Sequence, residues 1–174
     1  MKKIGFIGLG NMGAKMVANL LATNYEVTGY DINEKLVDEL LPNGVKKASN
    51  LGEISRDSEI IITMLPNGDI VENVYESLIN NSKPGTLFTD CSTIDVDKAK
   101  DLHKKCQNRG LLSLDAPVSG GVGGAENGTL TFMVGGEEKA YKIMLPVFEV
   151  MGKNHSYVDR QVQDKQQKHV IICY

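Results

Sequence analysis

Short apolar runs alternate with amphipathic segments along the first 154 residues of this 174-residue chain. The runs have the length of buried strands, and they cover residues 3–8, 26–31, 58–65, 85–92, 111–118 and 129–136. Between them, apolar positions recur at helical spacing in residues 11–23, 33–41, 68–79, 95–110 and 137–152. The alternation predicts an α/β fold in which helices cover both faces of a doubly wound, mostly parallel sheet.

Two segments contain residues that disturb this pattern. Residues 119–128 include five glycines and therefore predict a loop. Pro146 lies inside the last amphipathic segment, where it removes a backbone donor and crowds the preceding turn. We therefore expect the last helix to be kinked or split at Pro146.

A glycine-rich turn joins the first predicted strand to the first predicted helix. It comprises Gly8, Leu9, Gly10, Asn11, Met12 and Gly13. In this GxGxxG spacing, Gly8 permits a tight turn, Gly10 lets a pyrophosphate approach the backbone, and Gly13 allows close packing of the helix. The helix N-terminus adds backbone donors for the phosphates. The turn thus predicts a Rossmann-type dinucleotide site, the alternative being a turn that serves packing alone.

An acidic residue ends the second predicted strand. Asp31 follows Gly13 by 18 residues, where a carboxylate accepts hydrogen bonds from the adenosine ribose and repels a 2′-phosphate. This position favours NAD over NADP. The alternative is that Asp31 only caps the helix predicted over 33–41. Capping alone, however, does not require three glycines at the observed spacing.

Further segments follow predicted strands, at the edge where sheets of this kind bind ligands. Leu65 and Pro66, with Met64, form an apolar wall for the cofactor, or Pro66 only terminates its strand. Thr93 either offers its hydroxyl to the cofactor ribose or caps the helix that starts near Asp95. From the residues alone, capping is the better interpretation of Thr93.

A serine and two glycines follow the strand predicted over 111–118. Ser119, Gly120 and Gly121 place successive backbone N–H groups beside a hydroxyl, an arrangement that suits a carboxylate or another small anion. The alternative is a flexible crossover loop. Asp115 more often satisfies nearby backbone donors at such a position, and we assign it no chemical role.

Composition excludes several classes of function. The net charge of -3 provides no basic field for nucleic acid, and no apolar run approaches the roughly 20 residues that span a bilayer, so neither partner is expected. Cys91, Cys106 and Cys173 have no zinc-like spacing, which predicts free thiols in a reducing compartment and no metal. We expect a cytoplasmic chain, or a mitochondrial one whose targeting segment is missing. His103 lies on an exposed-looking helical stretch, and histidine-based catalysis has little support.

Five segments together resemble the 3-hydroxyisobutyrate dehydrogenases of the β-hydroxyacid dehydrogenase family: FIGLGNMGAKM, YDIN, IITMLP, CSTID and LDAPVSGGVGGAENGTLTFMVGG. The resemblance covers residues 2–154. It implies that these residues form an NAD-binding domain. In the family, a helical domain follows this domain, completes the active site and forms the dimer. It also implies oxidation of 3-hydroxyisobutyrate to methylmalonate semialdehyde, in valine breakdown. The alternatives are a tartronate semialdehyde or glyoxylate reductase of the same family, or a module that binds NAD without turnover.

The resemblance also implies roles for individual residues. The implied cofactor contacts are Gly8, Gly10, Gly13, Asp31, Leu65, Pro66 and Thr93. Ser119, Gly120 and Gly121 match the segment that holds the substrate carboxylate. Ile70 stands where many relatives have an Asn that contacts the cofactor, so this contact is not implied here.

Residues 155–174 differ in composition from the rest of the chain, since they contain no glycine. Relatives have at this place a segment of the type GxGxxxKxxNN, whose Lys is the general acid/base and whose Asn orients it. Lys165 and Lys168 lie near the expected place but lack that context. Reading the codons of this segment two bases downstream permits FLCGQAGAGQAAKACNNML, which contains the motif.

We therefore predict an NAD-binding domain over residues 1–154 and a tail in a shifted reading frame over residues 155–174. The alternative is a divergent C-terminus. For the 174-residue chain we predict no catalytic lysine, no turnover and no family-type dimer.

Overall fold

A computed structural model describes residues 2–159, and the tail residues Lys165, Lys168, His169 and Cys173 lie outside that range. The strands within it are β1 Lys3–Ile7, β2 Glu26–Tyr30, β3 Lys46–Lys47, β4 Ile60–Thr63, β5 Leu87–Asp90, β6 Leu112–Asp115, β7 Val118–Ser119, β8 Leu130–Gly136 and β9 Gly152–Asp159. The helices are α1 Asn11–Ala22, α2 Glu34–Asp38, α3 Leu51–Asp57, α4 Gly68–Ile79, α5 Val96–Gln107, α6 Gly121–Glu126 and α7 Glu138–Met151.

The strands form one sheet in the order β3-β2-β1-β4-β5-β6-β8-β7, with β9 paired to β8. Strands β1 to β6 run parallel to one another, and Ile4 of β1 lies between Val27 of β2 and Ile60 of β4. Strand β8 runs antiparallel to β6. The predicted fold class, a doubly wound and mostly parallel sheet, is confirmed.

The two faces of the sheet have separate apolar cores. Phe6 and Phe132 lie in the core that includes residues of α1 and α7, and both are fully buried. Phe88 lies on the opposite face, where the ring of Tyr75 from α4 contacts it edge-on with centroids 5.1 Å apart. Because β-branched and aromatic residues fill both faces, the strands are buried on each side, as parallel strands require.

Helix α6 corrects the prediction of a loop over residues 119–128. Glycine is a poor helix former, but this short helix packs against α1 through Ala125, which is fully buried. The side chain of Asn19 on α1 donates a hydrogen bond to the carbonyl of Ala125 at 2.6 Å. Tertiary contact thus overrides local propensity in this segment.

Of the kink or split expected at Pro146 in helix α7, the structure contradicts the split. The helix runs without interruption from Glu138 to Met151. Met144 and Phe148, on either side of the proline, are both fully buried in the same core. Burial on both sides of Pro146 therefore keeps the two halves in one helix despite the missing backbone donor.

The structure also contains elements that the sequence pattern does not predict, chiefly α3 and β9. Asn50 caps α3 by accepting a hydrogen bond from the backbone of Glu53, whose carboxylate accepts one from the backbone of Ser49. Strand β9 lies parallel to β8 and contacts α7 through Tyr157, whose ring stacks on Tyr141 at 4.3 Å. Residues 155–159 are thus part of the sheet.

Candidate functional site

The carboxyl ends of β1, β4, β5 and β6 lie side by side, and a loop follows each of them. The ladder of backbone hydrogen bonds continues one residue past these strands, as in Met64 N–H to Ile7 O at 2.9 Å and Cys91 N–H to Thr63 O at 2.9 Å. Ala116 N–H likewise reaches Asp90 O at 2.8 Å. The loops predicted to bind ligands therefore start at one edge of the sheet.

The glycine turn between β1 and α1 is held by close backbone contacts. Gly8 has a φ of +94°, and a Cβ there would lie 2.2 Å from the carbonyl oxygen of Met64. A Cβ on Gly13 would lie 1.9 Å from the carbonyl oxygen of Gly8. A Cβ on Gly10, by contrast, would meet nothing within 4 Å. Gly8 and Gly13 are thus required by packing, whereas Gly10 leaves open space where a phosphate can approach the backbone.

The other residues of the turn lie in different environments. Leu9 is buried at 1% exposure and packs in the core of the α1 face. Asn11 is exposed and Met12 is half-buried, both in the first turn of α1. Backbone groups of this first turn, rather than these side chains, are the donors that suit a phosphate.

Asp31 follows β2 and contacts the glycine turn directly. Its Oδ2 accepts a hydrogen bond from Leu9 N–H at 2.8 Å, and its Oδ1 accepts one from Asn33 N–H at 2.8 Å. The N-cap residue of α2 is Asn33, so Asp31 does not occupy the cap position. Ile32 beside it is 92% exposed, an apolar surface to which the sequence pattern gives no role.

The loops after β4 and β5 bring Leu65, Pro66 and Thr93 to the same edge. Leu65 is half-buried, while Pro66 and Thr93 are exposed. The N-cap of α5 is Asp95, whose carboxylate accepts hydrogen bonds from the backbone at residues 97 and 98. The interpretation of Thr93 as the cap is therefore wrong, because a carboxylate two residues later performs that role.

Ser119, Gly120 and Gly121 are exposed; Ser119 ends β7, Gly120 is the N-cap of α6, and Gly121 is the first residue of that helix. Gly120 and Gly121 have φ values of +130° and +60°, a region that side chains rarely adopt. Helix α6 is fastened to α1, where the exposed side chains of Lys15 and Glu126 form an ion pair at 2.8 Å in addition to the bond from Asn19. The helix that starts at the glycine turn thus also anchors the Ser119 segment.

A buried polar cluster lies beneath these loops, at positions to which the sequence pattern gives no role. Asp90, at the end of β5, is 4% exposed. Burial raises the pKa of its carboxyl to about 6, against the opposing hydrogen bonds from Ser92 and Thr63, and the charge of Asp115 on the next strand also raises it. His103 is half-buried and hydrogen-bonds Ser113, so its prediction as an exposed residue is wrong.

The cysteines, the potential metal ligands and the helices of residues 2–159 have the following properties. Cys91 and Cys106 are buried free thiols, as predicted, and burial raises the pKa of both. Across this range, His, Cys, Asp and Glu side chains form no cluster of three or more that could hold a metal ion. The helices in the described part of the chain are too short or too polar to cross a membrane.

The fold and the site define a Rossmann-type dinucleotide-binding domain. The open space at Gly10, the donors at the start of α1 and the carboxylate of Asp31 fit a dinucleotide that has an unmodified adenosine ribose. The chain belongs to the family described as the NAD binding domain of 6-phosphogluconate dehydrogenase, whose family model matches residues 3–159. This confirms the prediction of NAD as the cofactor.

Known relatives include hydroxyacid dehydrogenases. The chain is 44% identical over 157 residues to an NAD-dependent L-serine dehydrogenase of Pseudomonas aeruginosa, an alignment that covers 88% of this chain and 53% of that protein. It is 44% identical over 153 residues to the mitochondrial 3-hydroxyisobutyrate dehydrogenase of Drosophila melanogaster, with 87% and 47% covered.

A solved structure of 3-hydroxyisobutyrate dehydrogenase from Mycobacterium tuberculosis with L-serine is also similar. It matches with a TM-score of 0.89 and 38% identity, over 98% of this chain and 60% of that one. The chain spans about half the length of the curated relatives it matches. These relatives support the resemblance to the β-hydroxyacid dehydrogenases that the sequence motifs carry.

Proposed function

We propose that this chain is the cofactor domain of an NAD-dependent β-hydroxyacid dehydrogenase. The observation that carries the proposal is the bond from Leu9 N–H to Asp31 Oδ2 at 2.8 Å, because it joins the glycine turn to the carboxylate expected at the ribose. Two further features support it. The loops containing Leu65 and Thr93 start at the same edge, and the Ser119 segment is fastened to α1.

Each part of the edge has a distinct task in this proposal. The glycine turn and α1 bind the pyrophosphate, Asp31 binds the adenosine ribose, and Leu65, Pro66 and Thr93 contact the rest of the dinucleotide. Bound NAD supplies the chemistry by accepting a hydride from the substrate carbon. The exposed Ser119, Gly120 and Gly121 bind the substrate carboxylate through backbone N–H groups and the serine hydroxyl.

We propose 3-hydroxyisobutyrate as the substrate of the whole protein, with the semialdehyde as product. The motif around Ser119 and the names of the relatives from Drosophila and Mycobacterium support this choice. L-Serine is the second candidate, because a relative with 44% identity is named for it. Both molecules have a hydroxyl on the carbon β to a carboxylate, so the same anion site serves either.

The catalytic lysine and its asparagine belong, in our proposal, to the alternative reading frame of residues 155–174. The pairing of β9 supports this placement. Gly136 of β8 pairs both with Asp159 of β9 and with Leu114 of β6. Asp159, the last described residue, therefore lies about 10 Å, two strand spacings, from the carboxyl end of β6. We assign no catalytic role to the residues of the written tail.

Two measurements test the proposal. Calorimetric titration of the 174-residue chain with NAD is expected to give saturable binding, and 3-hydroxyisobutyrate or L-serine is expected to yield no NADH. A protein made from the restored frame is expected to produce NADH with one of these substrates, and its preference identifies the substrate. Absence of NAD binding would refute the cofactor site, while turnover by the 174-residue chain would refute the role given to the alternative frame. The nucleotide sequence is a direct check, since codons incompatible with the second reading exclude it.

A further inference from the structure

Asp90 concentrates its hydrogen bonds on one carboxylate oxygen. Its Oδ1 accepts from the hydroxyl of Thr63 at 2.7 Å, from the hydroxyl of Ser92 at 2.7 Å and from Ser92 N–H at 3.1 Å. Its Oδ2 is buried without a hydrogen-bond partner among residues 2–159. A buried carboxylate with one unpaired oxygen weakens a fold.

Ser92 connects this carboxylate to the loop after β4. Its Oγ accepts a hydrogen bond from Leu65 N–H at 2.8 Å, and the side chain is fully buried. A serine hydroxyl has one hydrogen. Because the ionised Asp90 carboxylate can only accept, that hydrogen points to Asp90 and leaves a lone pair of Oγ for Leu65 N–H. The charge on Asp90 thus fixes the orientation of the Ser92 hydroxyl, whose free lone pair accepts the bond from Leu65 N–H.

We propose that Asp90 is a positioning residue for the cofactor, acting through Ser92 to set the backbone of Leu65 relative to Thr93. The inference rests on the proposed function, because that assigns Leu65 and Thr93 to the NAD site. Stability of the core does not explain why a carboxylate occupies this position, because a neutral residue would avoid the cost of burying a charge. Its location, between the two loops that the cofactor is expected to contact, does explain it.

The neighbouring Thr89 provides a matched control. Its hydroxyl is buried and has no hydrogen-bond partner among the described residues, like Oδ2 of Asp90. Because side chains alternate along a strand, Thr89 points to the opposite face of the sheet, away from Ser92. Thr89→Val removes a buried hydroxyl of β5 without touching the bridge between the loops.

The experiment compares Ser92→Ala, Asp90→Asn and Thr89→Val in the 174-residue chain. Hydrogen exchange of backbone amides by NMR reports the Leu65 bond directly, and calorimetric titration gives the dissociation constant for NAD. In Ser92→Ala, we expect the Leu65 amide to exchange about tenfold faster and the dissociation constant to rise about tenfold, as for the loss of one hydrogen bond. Asp90→Asn is expected to move both quantities in the same direction, and Thr89→Val to leave both within about twofold of the wild type. The amide of Phe88 is the internal reference for global stability.

Unchanged Leu65 exchange and NAD affinity in Ser92→Ala would overturn the inference, as would equal effects of Thr89→Val. If Ser92→Ala does not fold, Asp90→Asn still decides the question, because it keeps the shape of the side chain. If the wild-type chain does not bind NAD, the cofactor site fails and the role of Asp90 fails with it. If the wild type binds NAD and the variants match it, only the role of Asp90 fails.

Discussion

The carboxylate of Asp31 accepts a hydrogen bond from the backbone N–H of Leu9 across 2.8 Å, so the end of β2 is fastened to the glycine turn. Asp31→Ala removes this bond and the acceptor proposed for the ribose. We expect NAD affinity to fall about 10- to 100-fold, in line with hydrogen bonds to a charged group. Because a carboxylate repels a 2′-phosphate, NADP affinity should fall less or rise. Titrations with both cofactors check this.

The charge-matched control is Asp101→Ala, which removes an exposed carboxylate on α5. It should leave both affinities unchanged. An equal loss of NAD and NADP binding in Asp31→Ala would mean that Asp31 only supports the turn and does not select the cofactor.

Substitution by alanine should lower different quantities at Gly13 and at Gly10: the stability of the fold at Gly13 and the affinity for NAD at Gly10. A Cβ on Gly13 would meet the backbone of Gly8, which cannot move aside cheaply, so Gly13→Ala should destabilise the fold by about 3 kcal/mol or more. A Cβ on Gly10 meets nothing, so Gly10→Ala should change the free energy of unfolding by less than about 1 kcal/mol. Because the methyl group would project toward the expected pyrophosphate, Gly10→Ala should nevertheless lose NAD affinity.

Urea unfolding and NAD titration of both glycine variants separate these effects. A Gly10→Ala protein with wild-type affinity would show that the phosphate does not approach this part of the backbone. A stable Gly13→Ala protein would contradict the packing argument.

Stability should depend on pH through Asp90. Its pKa is about 6 in the folded protein against an ordinary 3.8, so between these values the folded state retains a proton that the unfolded state releases. The free energy of unfolding therefore falls as the pH rises through this window. About two pKa units correspond to about 3 kcal/mol.

Asp90→Asn should remove this component of the pH dependence. Urea unfolding at pH values between 4 and 7.5 measures it, with the wild type losing stability relative to Asp90→Asn as the pH rises. A constant difference between the two proteins would mean that the carboxyl titrates normally. Asp115 lies opposite Asp90 on the next strand and its charge acts on Asp90, so the difference between the two proteins reports the loss of the Asp90 carboxyl together with its interaction with Asp115.

Asn19 should contribute more than Lys15 to the free energy that holds α6 against α1. Asn19→Ala removes the half-buried bond to the Ala125 carbonyl and should cost about 1–2 kcal/mol. Lys15→Ala removes an ion pair whose side chains are 40% and 59% exposed, and such exposed pairs contribute about 0–1 kcal/mol. Hydrogen exchange in residues 121–126 should increase in Asn19→Ala and remain nearly unchanged in Lys15→Ala. The opposite ranking would assign the anchoring to charge.

The elements that the sequence predicts well are those with a local signal. Helix α4 begins at Gly68 and ends at Ile79 as predicted, because its apolar positions have clear helical spacing and Asn67 caps it. Helix α3 also has a local signal, because Asn50 and Glu53 have the spacing of a capping box, with Asn50 accepting from Glu53 N–H and the Glu53 carboxylate accepting from Ser49 N–H.

The elements that the sequence does not predict depend on distant contacts. Helix α6 forms because α1 packs against it and Asn19 bonds it, although Asn19 is 106 residues from Ala125. The role proposed for Asp90 likewise depends on Thr63 and Leu65, which belong to another strand and loop. The order of the strands creates these neighbours, and periodicity within a segment carries no information about them.

Helix α1 starts at the glycine turn and holds α6 one to two turns further on, through Lys15 and Asn19. Each residue of an α-helix advances 1.5 Å and turns about 100°. Adding or removing a single residue between Gly13 and Asn19 would therefore rotate the anchor of α6 away from its partner. The surface loops of this domain can vary in length, but this stretch of α1 has only one permitted length if cofactor and substrate are to meet.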